Sequence, residues 1–260
     1  MILQQTIINF IETLKYRNES LFYFGSVCFL LVIIFLLLTT LTTHQLKGVN
    51  VWNKPFKFAF SIMLYSWSMA WYCYYLPTFN ISFFNWAVIV FLGYELIYIA
   101  IQAGRGQLSH YNNSTSFYLV LFRLMGLAAT LVTLYTAYVG ALFFQNDFPN
   151  LPLGYLWGIR SGILIFVVFS FEGALMGARM AHTIGGDDGN VGIPLLKWSL
   201  NFGDLRVAHF IGMHALQVLP ILAYYFIKDT TAIFIVSALY GLLALYTLMQ
   251  ALKGRPFHKL

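Results

Sequence analysis

Residues 21–43, LFYFGSVCFLLVIIFLLLTTLTT, decide the fold of this chain. The stretch contains no charged residue, and it exceeds the roughly 20 apolar residues that an α-helix needs to cross a lipid bilayer. Similar apolar runs recur along the 260 residues, which are 60% hydrophobic, 18% aromatic and only 9% charged. Water-soluble proteins carry about 25% charged residues, so the composition excludes a soluble domain and predicts an all-α, polytopic transmembrane bundle.

Seven apolar runs are long enough to be membrane-spanning helices. They lie near residues 21–43, 57–77, 83–104, 117–144, 154–181, 207–227 and 230–251. Lys228 and Asp229 separate the last two runs. We expect a tight turn here, because the combined length of the two runs far exceeds one bilayer crossing. We therefore expect one seven-helix domain over residues 21–251, an amphipathic interfacial segment over residues 1–20 and a cytoplasmic tail over residues 252–260.

The positions of lysine and arginine predict the orientation of the helices. Ten of these residues flank the joints after the odd-numbered spans or the C-terminus: Lys47, Lys54, Lys57, Arg105, Arg179, Lys197, Arg206, Lys253, Arg255 and Lys259. Only Lys15, Arg17 and Lys228 flank the spans on the opposite side. We therefore expect the N-terminus outside and the C-terminus in the cytoplasm. This distribution explains the net charge of +6 without a nucleic-acid partner.

A stripe of small residues marks the fifth predicted span. Gly154, Gly158 and Gly162 recur every four residues and leave one face of the helix flat. Such a stripe allows a neighbouring helix to approach closely. We interpret it as a packing surface within the bundle, with dimerisation as the alternative, and the oligomeric state stays open.

Two carboxylates, Glu95 and Glu172, lie deep in the third and fifth predicted spans. Exposure of a carboxylate to lipid costs about 2.5–3.5 kcal/mol even on a lenient insertion scale. One interpretation is a structural ion pair, with Arg123 at nearly the depth of Glu95. The other is a catalytic or proton-carrying carboxyl group. The sequence leaves both alternatives open for each residue.

Four histidines are predicted on the cytoplasmic side of the bundle: His110, His182, His209 and His214. Imidazole binds metals and transfers protons near neutral pH, so His182, His209 and His214 are candidate metal ligands. His110 and His209 are candidate catalytic groups, together with the two intramembrane carboxylates. His209 and His214 are about 140° apart around a helix and do not form the i, i+4 pair of a zinc site. The alternative is that these rings only satisfy polar contacts.

The connection from residue 183 to residue 206 is the longest between predicted spans, and it is rich in glycine. We expect Asp187 and Asp188 to form a solvated turn, because their spacing does not match a calcium-binding loop. Asp204 immediately precedes the sixth span and is predicted to cap that helix. The alternative is an anionic ligand bound at the same helix end. Its predicted binding residues are Asp204, Arg206, Arg105, Arg179 and Gln217.

Three stretches together resemble an uncharacterised family of bacterial polytopic, seven-helix integral membrane proteins. They are KPFKFAFS at residues 54–61, RGQLSHYN at residues 105–112 and GDLRVAHFIGMHALQ at residues 203–217. The resemblance implies a location in the bacterial cytoplasmic membrane and implies no activity. Zinc-dependent seven-helix membrane hydrolases carry a His-x-x-x-His pair, whereas His209 and His214 here are separated by four residues.

A net basic cluster suited to an anionic or amphiphilic small molecule is predicted on the cytoplasmic side, backed by Glu95, Glu172 and Gln217. Its members are Lys57, Arg105, His110, Arg179, His182, Arg206, His209 and His214. The first functional hypothesis is a membrane enzyme or cofactor protein that acts on a lipid-like molecule, with histidines that bind a metal ion or haem or transfer protons. The second is a transporter or channel lined by Glu95 and Glu172, which requires polar side chains that continue to the outer face. Arg160 is the only strong polar candidate in the outer half, which favours a one-sided site. The third is a sensor or assembly factor that binds a protein through its inner loop.

Overall fold

The computed structural model describes residues 2–189 and 191–258. Within this part of the chain the helices are α1 (Ile2–Arg17), α2 (Glu19–Leu41), α3 (Asn53–Cys73), α4 (Ile81–Gly104), α5 (Ser116–Gln145), α6 (Leu153–Ser170), α7 (Glu172–Arg179), α8 (Leu205–Tyr225) and α9 (Thr230–Leu252). The strands are β1 (Gln45–Leu46), β2 (Val49–Asn50), β3 (Thr183–Ile184) and β4 (Gly203–Asp204). The protein is therefore all-α, as predicted, with two small antiparallel strand pairs.

Six segments of the described chain are long and apolar enough to cross a membrane: α2, α4, α5, α6 together with α7, α8 and α9. These helices make the chain an integral membrane protein. α3 has 21 residues and overlaps the second predicted span, but its serine, tyrosine and tryptophan side chains make it less apolar than the six. The count of seven spans and the orientation of the termini stay predictions.

The fifth predicted span is interrupted at Phe171. α6 ends one residue before it, and α7 begins one residue after it. The Ala174 amide donates to the Phe171 carbonyl oxygen at 3.0 Å, three residues back along the chain, so the regular α-helical ladder is broken here. The interruption places Glu172 in the first turn of α7.

The chain divides into two compact units. Unit 1 comprises Met1–Thr43 and Val51–Arg105, and therefore contains α1 to α4. Unit 2 comprises His44–Asn50 and Gly106–Leu260, and contains α5 to α9 with all four strands.

In unit 1, α2 and α3 approach closely at Gly25. A Cβ atom on this glycine would lie 2.3 Å from Trp67 Nε1, so only glycine leaves room for the indole ring. The indole Nε1–H donates to the Phe22 carbonyl oxygen at 3.3 Å. The close approach thus fixes the polar edge of Trp67 on the backbone of α2.

A reciprocal pair of buried amides joins the start of α2 to α4. Asn18 Nδ2 donates to Asn85 Oδ1 at 2.8 Å, and Asn85 Nδ2 donates back to Asn18 Oδ1 at 2.9 Å. Asn18 Oδ1 also accepts from the Leu21 amide and so caps α2. Each amide satisfies the other in a place where an unpaired polar group costs roughly 1–3 kcal/mol.

In unit 2, the glycine stripe of α6 faces α8. A Cβ atom on Gly158 would lie 2.9 Å from Ala223 Cβ, and one on Gly162 would lie 2.8 Å from the Ala215 carbonyl oxygen. The two helices therefore touch with almost no side chain between their backbones. The packing interpretation of the stripe is confirmed, because the stripe contacts a helix of the same chain.

The strands of unit 2 hold the long connection in place. β1 and β2 form a hairpin whose turn residues, Lys47 and Gly48, have φ values of 50° and 71°. A Cβ atom on Gly189 would lie 2.9 Å from the Lys47 carbonyl oxygen, so the hairpin packs directly on the connection. β3 pairs with β4 through Thr183 and Asp204, which brings the two ends of the connection together at the start of α8.

Candidate functional site

An ion pair forms the beginning of α8. Asp204 is the N-cap residue, and its Oδ1 accepts from the Arg206 amide at 3.1 Å and from Arg206 Nε at 2.8 Å. Its Oδ2 accepts from Arg206 Nη2 at 2.5 Å and from the Ser199 amide at 2.8 Å. Arg206 Nη2 also donates to the Lys197 carbonyl oxygen at 2.7 Å. The cap predicted for Asp204 is confirmed, and Arg206 has fewer donors for an anionic ligand than the sequence suggests.

Asp188 organises the first part of the connection. Its carboxylate accepts hydrogen bonds from His182 Nδ1 at 2.7 Å, from the Thr183 amide at 3.0 Å and from Thr183 Oγ1 at 2.9 Å. Burial acts to raise the pKa of Asp188, but the hydrogen bonds and charge of His182 and the hydrogen bond of Thr183 outweigh burial and hold this pKa well below its usual range. The prediction of a solvated turn is therefore wrong for Asp188, which is an ordered structural anion.

Tyr111 packs over this ion pair with a strained backbone. Its φ of 58° lies in the left-handed region, which is rare for a bulky side chain and costs free energy. Its ring centroid lies 4.9 Å from that of His182 and 5.4 Å from that of Phe122. Burial raises the pKa of the Tyr111 hydroxyl, and the negative charge of Asp188 raises it further. The hydroxyl therefore stays neutral beside the anion.

Glu172 is a buried carboxyl on α7. The residue is 6% exposed, and neither of its carboxyl oxygens has a hydrogen-bond partner among the described residues. The Asp204 carboxylate, which is paired with Arg206, lies within electrostatic range of Glu172. Because buried polar groups are nearly always hydrogen-bonded, an unpaired carboxyl near a second acid points to a group that binds a proton or a cation.

Apolar residues flank Glu172 in the chain. Met176 lies four residues after it on the same face of α7, and Phe169 lies near the end of α6. Phe169 belongs to an apolar cluster with Ala208 and Ala244, which come from α8 and α9. Met176 belongs to a second apolar cluster, with Leu205 and Ala251. The carboxyl thus stands between two apolar clusters that involve the same pair of helices.

His209 packs against Gly173, the residue after Glu172, and has a defined tautomer. A Cβ atom on Gly173 would lie 3.5 Å from His209 Cε1, so the ring lies against the backbone of the next residue after Glu172. His209 Nδ1 lies 2.8 Å from the Phe169 carbonyl oxygen. A carbonyl oxygen only accepts hydrogen bonds, so Nδ1 carries the hydrogen and Nε2 is the nitrogen that exchanges a proton.

The three predicted metal ligands have different partners on Nδ1. Among residues 2–189 and 191–258, no three His, Cys, Asp or Glu side chains are grouped so that they could hold a metal ion. His182, His209 and His214 each place Nδ1 on a different group, namely Asp188, the Phe169 carbonyl and the Phe210 carbonyl. The ring of His214 also stacks at 4.0 Å on that of Phe210. Each of the three rings therefore has its own partner on Nδ1.

α9 presents a polar stripe to its neighbours that the sequence analysis missed. Ser237 Oγ donates to Ser161 Oγ of α6 at 3.1 Å, and the Tyr240 hydroxyl donates to the Ile211 carbonyl oxygen of α8 at 2.6 Å. The signal was present as a repeat of three to four residues. The stripe consists of Ser237, Tyr240, Thr247 and Gln250. At 1.5 Å per residue it extends for roughly 20 Å, about two thirds of a bilayer core.

The remaining predicted residues of unit 2 are dispersed. His110 contacts Ser109 Oγ through Nδ1 at 3.2 Å and lies 5.9 Å from the Phe122 ring, so it joins the aromatic group under Tyr111. Arg179, at the end of α7, is exposed. Gln217 lies three residues after His214 on α8 and is partly buried.

Unit 1 holds the other intramembrane carboxyl. Glu95 and Gln102 are buried on α4, at 8% and 1% exposure. The positive charge of Lys54 lies within electrostatic range of Glu95. Lys54 is therefore a cation within range of Glu95 in the same unit, whereas the ion-pair interpretation of the sequence named Arg123. Arg105 forms the C-cap of α4 and is exposed.

Comparison of the chain with protein families, curated proteins and solved structures finds no match. The resemblance to bacterial seven-helix membrane proteins therefore stays a prediction. The groups that distinguish unit 2 are the unpaired Glu172, the ion pairs of Asp204 and Asp188, and the polar stripe of α9.

Proposed function

We propose that this integral membrane protein is a proton-coupled transporter in which Glu172 takes up and releases the proton. The observation that carries the proposal is the Glu172 carboxyl, which is buried, has no hydrogen-bond partner among the described residues and lies near the negative Asp204. An ionised carboxylate in this setting is an uncompensated charge, and a bound proton removes that charge. Carboxyls at such positions serve as proton relays in pumps and transporters.

The polar stripe of α9 favours the transporter hypothesis above the hypothesis of a site open to one side only. A transporter requires polar side chains between Glu172 and the outer face of the membrane. In the sequence, Arg160 is the only strong polar candidate there. Ser237 with Ser161 and Tyr240 with the Ile211 carbonyl add hydroxyl groups at two further levels between α6, α8 and α9. In the proposed mechanism these hydroxyls line the path that the proton takes to Glu172.

His209 is the second proton-exchanging group in this mechanism. Its Nδ1–H is held by the Phe169 carbonyl, which leaves Nε2 as the basic nitrogen. Its ring packs beside the backbone at Gly173. A proton that leaves Glu172 passes to Nε2 and then to the long connection before α8.

A membrane enzyme with a histidine cofactor is the second candidate. One observation favours it, because His182 and His209 anchor Nδ1 on a carboxylate and a carbonyl, as metal-binding histidines do. Metal analysis and an absorption spectrum of the detergent-purified protein test it. Stoichiometric metal or a haem band that is lost in His209→Ala would favour this candidate over transport.

The test of the proton site uses dicyclohexylcarbodiimide, an apolar reagent that adds to protonated carboxyls within membranes. We expect an adduct at Glu172, located by mass spectrometry, and labelling that falls as the pH rises. Glu95 is the matched control, because it is equally buried but has Lys54 nearby. Equal labelling of the two carboxyls, or none at Glu172 at any pH, would contradict the proposal.

Proton movement is measured in proteoliposomes that contain a pH-sensitive dye and carry a potassium diffusion potential. We expect Glu172→Gln to lower proton uptake at least about tenfold, because an amide has no titrating proton. Glu95→Gln should retain most of the uptake. Unchanged uptake in Glu172→Gln would assign the proton path to other residues.

A further inference from the structure

Aromatic rings surround Arg17 at one end of unit 1. α2 begins at this end with Glu19, and α3 returns to it with Cys73. α4 begins nearby at Ile81. Because α2 and α4 are long and apolar enough to cross the membrane, their shared end lies at the level of the lipid headgroups.

The guanidinium of Arg17 is held in a fixed position. Its Cζ lies 3.8 Å from the ring centroid of Trp71, 4.8 Å from that of Tyr75 and 5.0 Å from that of Tyr74. Its Nη1 donates to the Trp71 carbonyl oxygen at 3.3 Å. Stacking and one hydrogen bond thus orient the group without neutralising its charge.

Arg17 has hydrogen-bond donors left for an anion. A guanidinium carries five N–H donors, and the contacts above use one of them. Among the described residues Arg17 forms no ion pair with a carboxylate, whereas neighbouring Lys15 lies 4.0 Å from Glu19. A fixed, partly exposed guanidinium with free donors matches the oxygen atoms of a phosphate group.

α1 presents apolar side chains beside this group. Ile7, Ile8 and Ile11 are 51%, 40% and 43% exposed. Leu14 is buried, and the Phe10 ring stacks on Trp71 at 5.6 Å, so the other side of α1 is fastened to the protein. Exposed isoleucines at headgroup level suit the boundary between headgroups and acyl chains.

We propose that Arg17 binds the phosphate of a phospholipid headgroup, and that α1 lies in the headgroup layer with its isoleucines on the acyl chains. The surface thereby takes one partner, the phospholipid bilayer. The fixed guanidinium recognises the phosphate, and the apolar face of α1 distinguishes a lipid from free phosphate. This site is independent of Glu172 and of transport.

Native mass spectrometry of the full-length protein with added phosphatidylglycerol tests the phosphate site. We expect Arg17→Gln to retain about tenfold less lipid, and Lys15→Gln, which removes the same charge from the same helix, to retain nearly all of it. Arg17→Lys should be intermediate, because an ammonium lacks the planar fork. Equal losses in the two glutamine variants would show general attraction and overturn the proposal. Displacement of the lipid by excess inorganic phosphate would assign the site to free anions.

Spin labels on α1 test its placement in bilayers without altering Arg17. Cys28 and Cys73 are free and buried, and alanine replaces them first. Labels at Ile8 and Ile11 should collide with oxygen dissolved in the acyl region, whereas labels at Glu12 should collide with a water-soluble nickel reagent. Water accessibility at every position, or protection of the isoleucine positions from both reagents, would rule out the bilayer as the occupant.

Discussion

Glu95 and Glu172 are two buried carboxyls on membrane helices, and they differ in their electrostatic surroundings. Glu95 in unit 1 has the positive Lys54 within electrostatic range. Glu172 in unit 2 has the negative Asp204 within range and no hydrogen-bond partner among the described residues. One carboxyl thus has a cation within electrostatic range, and the other has an acid within range.

This difference shows that depth in the membrane does not decide the role of a carboxyl. Both residues occupy apolar runs of similar composition, and the sequence assigned them equal alternatives. The charged residues that make the two carboxyls differ are distant in the sequence. Lys54 lies on α3, one helix before Glu95, and Asp204 follows Glu172 after the long connection. Only the folded structure brings each charge to its carboxyl.

The largest expected effect comes from Arg206→Ala. This change leaves the Asp204 carboxylate, which is fully buried, without its cation near Glu172. Loss of one partner of a buried ion pair costs about 3–5 kcal/mol of unfolding free energy. The measurement is chemical unfolding in detergent. Arg105→Ala at the exposed end of α4 is the control and should lower the unfolding free energy by less than about 1 kcal/mol. Equal losses in the two variants would show that the ion pair of Asp204 and Arg206 does not stabilise the fold more than an exposed arginine does.

Asp188→Asn should lower the free energy of unfolding by about 1–3 kcal/mol at neutral pH, because the amide cannot accept all the hydrogen bonds of the carboxylate. The pKa of Asp188 is depressed in the folded protein. Its contribution is therefore present above the ordinary pKa of about 3.9 and is lost as the pH falls toward the lowered folded value.

Hydrogen exchange of the His182 and Thr183 amides measures this effect, because both amides donate to Asp188. Their exchange should be faster in Asp188→Asn than in the wild type at neutral pH, and the difference should shrink in acid. Asp187→Asn on the neighbouring exposed residue is the control. A difference between wild type and Asp188→Asn that stays constant from neutral to acidic pH would exclude the ionised carboxylate as the cause.

Met176→Lys gives Glu172 the kind of neighbour that Glu95 has. Position 176 lies four residues after Glu172 on the same helical face, where a cation can pair with the carboxylate. We expect carbodiimide labelling of Glu172 to fall about tenfold, because a paired, ionised carboxylate does not react. Met176→Leu should leave the labelling unchanged. If both variants lowered it equally, packing at position 176 would be responsible.

Lys54→Met makes the opposite change in unit 1. Without the positive charge of Lys54, Glu95 should become several-fold more reactive toward carbodiimide, because its ionised form loses a compensating charge. Lys57→Met, three residues later on the same helix, controls for loss of charge alone. Mass spectrometry of the labelled peptides gives the ratio, and an unreactive Glu95 in Lys54→Met would remove Lys54 as the source of the difference.

Ser237→Ala is expected to have the smallest effect, below about 1 kcal/mol on stability, since one neutral hydrogen bond to Ser161 is lost. Its value lies in transport. A fall in proton uptake much larger than the fall in stability would place the serine pair on the proton path. Equal uptake in Ser237→Ala and wild type would restrict the path to the region around Glu172.

Much of the helical framework follows from the sequence, because bilayer thickness sets helix length and apolar runs are easy to recognise. The glycine stripe also predicted a close contact, and the structure supplies its partner, α8. The break at Phe171 was not foreseen, since the apolar pattern continues through it without proline. α3 was predicted as a span from its apolar run, and its serine, tyrosine and tryptophan side chains make it less apolar than the six segments.

The candidate site followed from the sequence only in part. Residue type identified Glu172 and His209 as candidate catalytic or proton-transferring groups. Its position before the sixth predicted span identified Asp204 as a helix cap. The roles of Asp188 and Tyr111 depend on chain reversals within the long connection, which a local pattern does not reveal. The predicted metal triad requires three rings to converge on one ion, and the described residues contain no group of three His, Cys, Asp or Glu side chains that could hold a metal ion.

The amide pair of Asn18 and Asn85 bears on how the protein enters the membrane during synthesis. A buried asparagine amide without a partner costs free energy. Asn18 precedes Asn85 by 67 residues, so during synthesis the Asn18 amide has no partner in α4 until the ribosome delivers that helix. The Asn18 amide at the start of α2 therefore offers hydrogen bonds to the Asn85 amide when α4 is added.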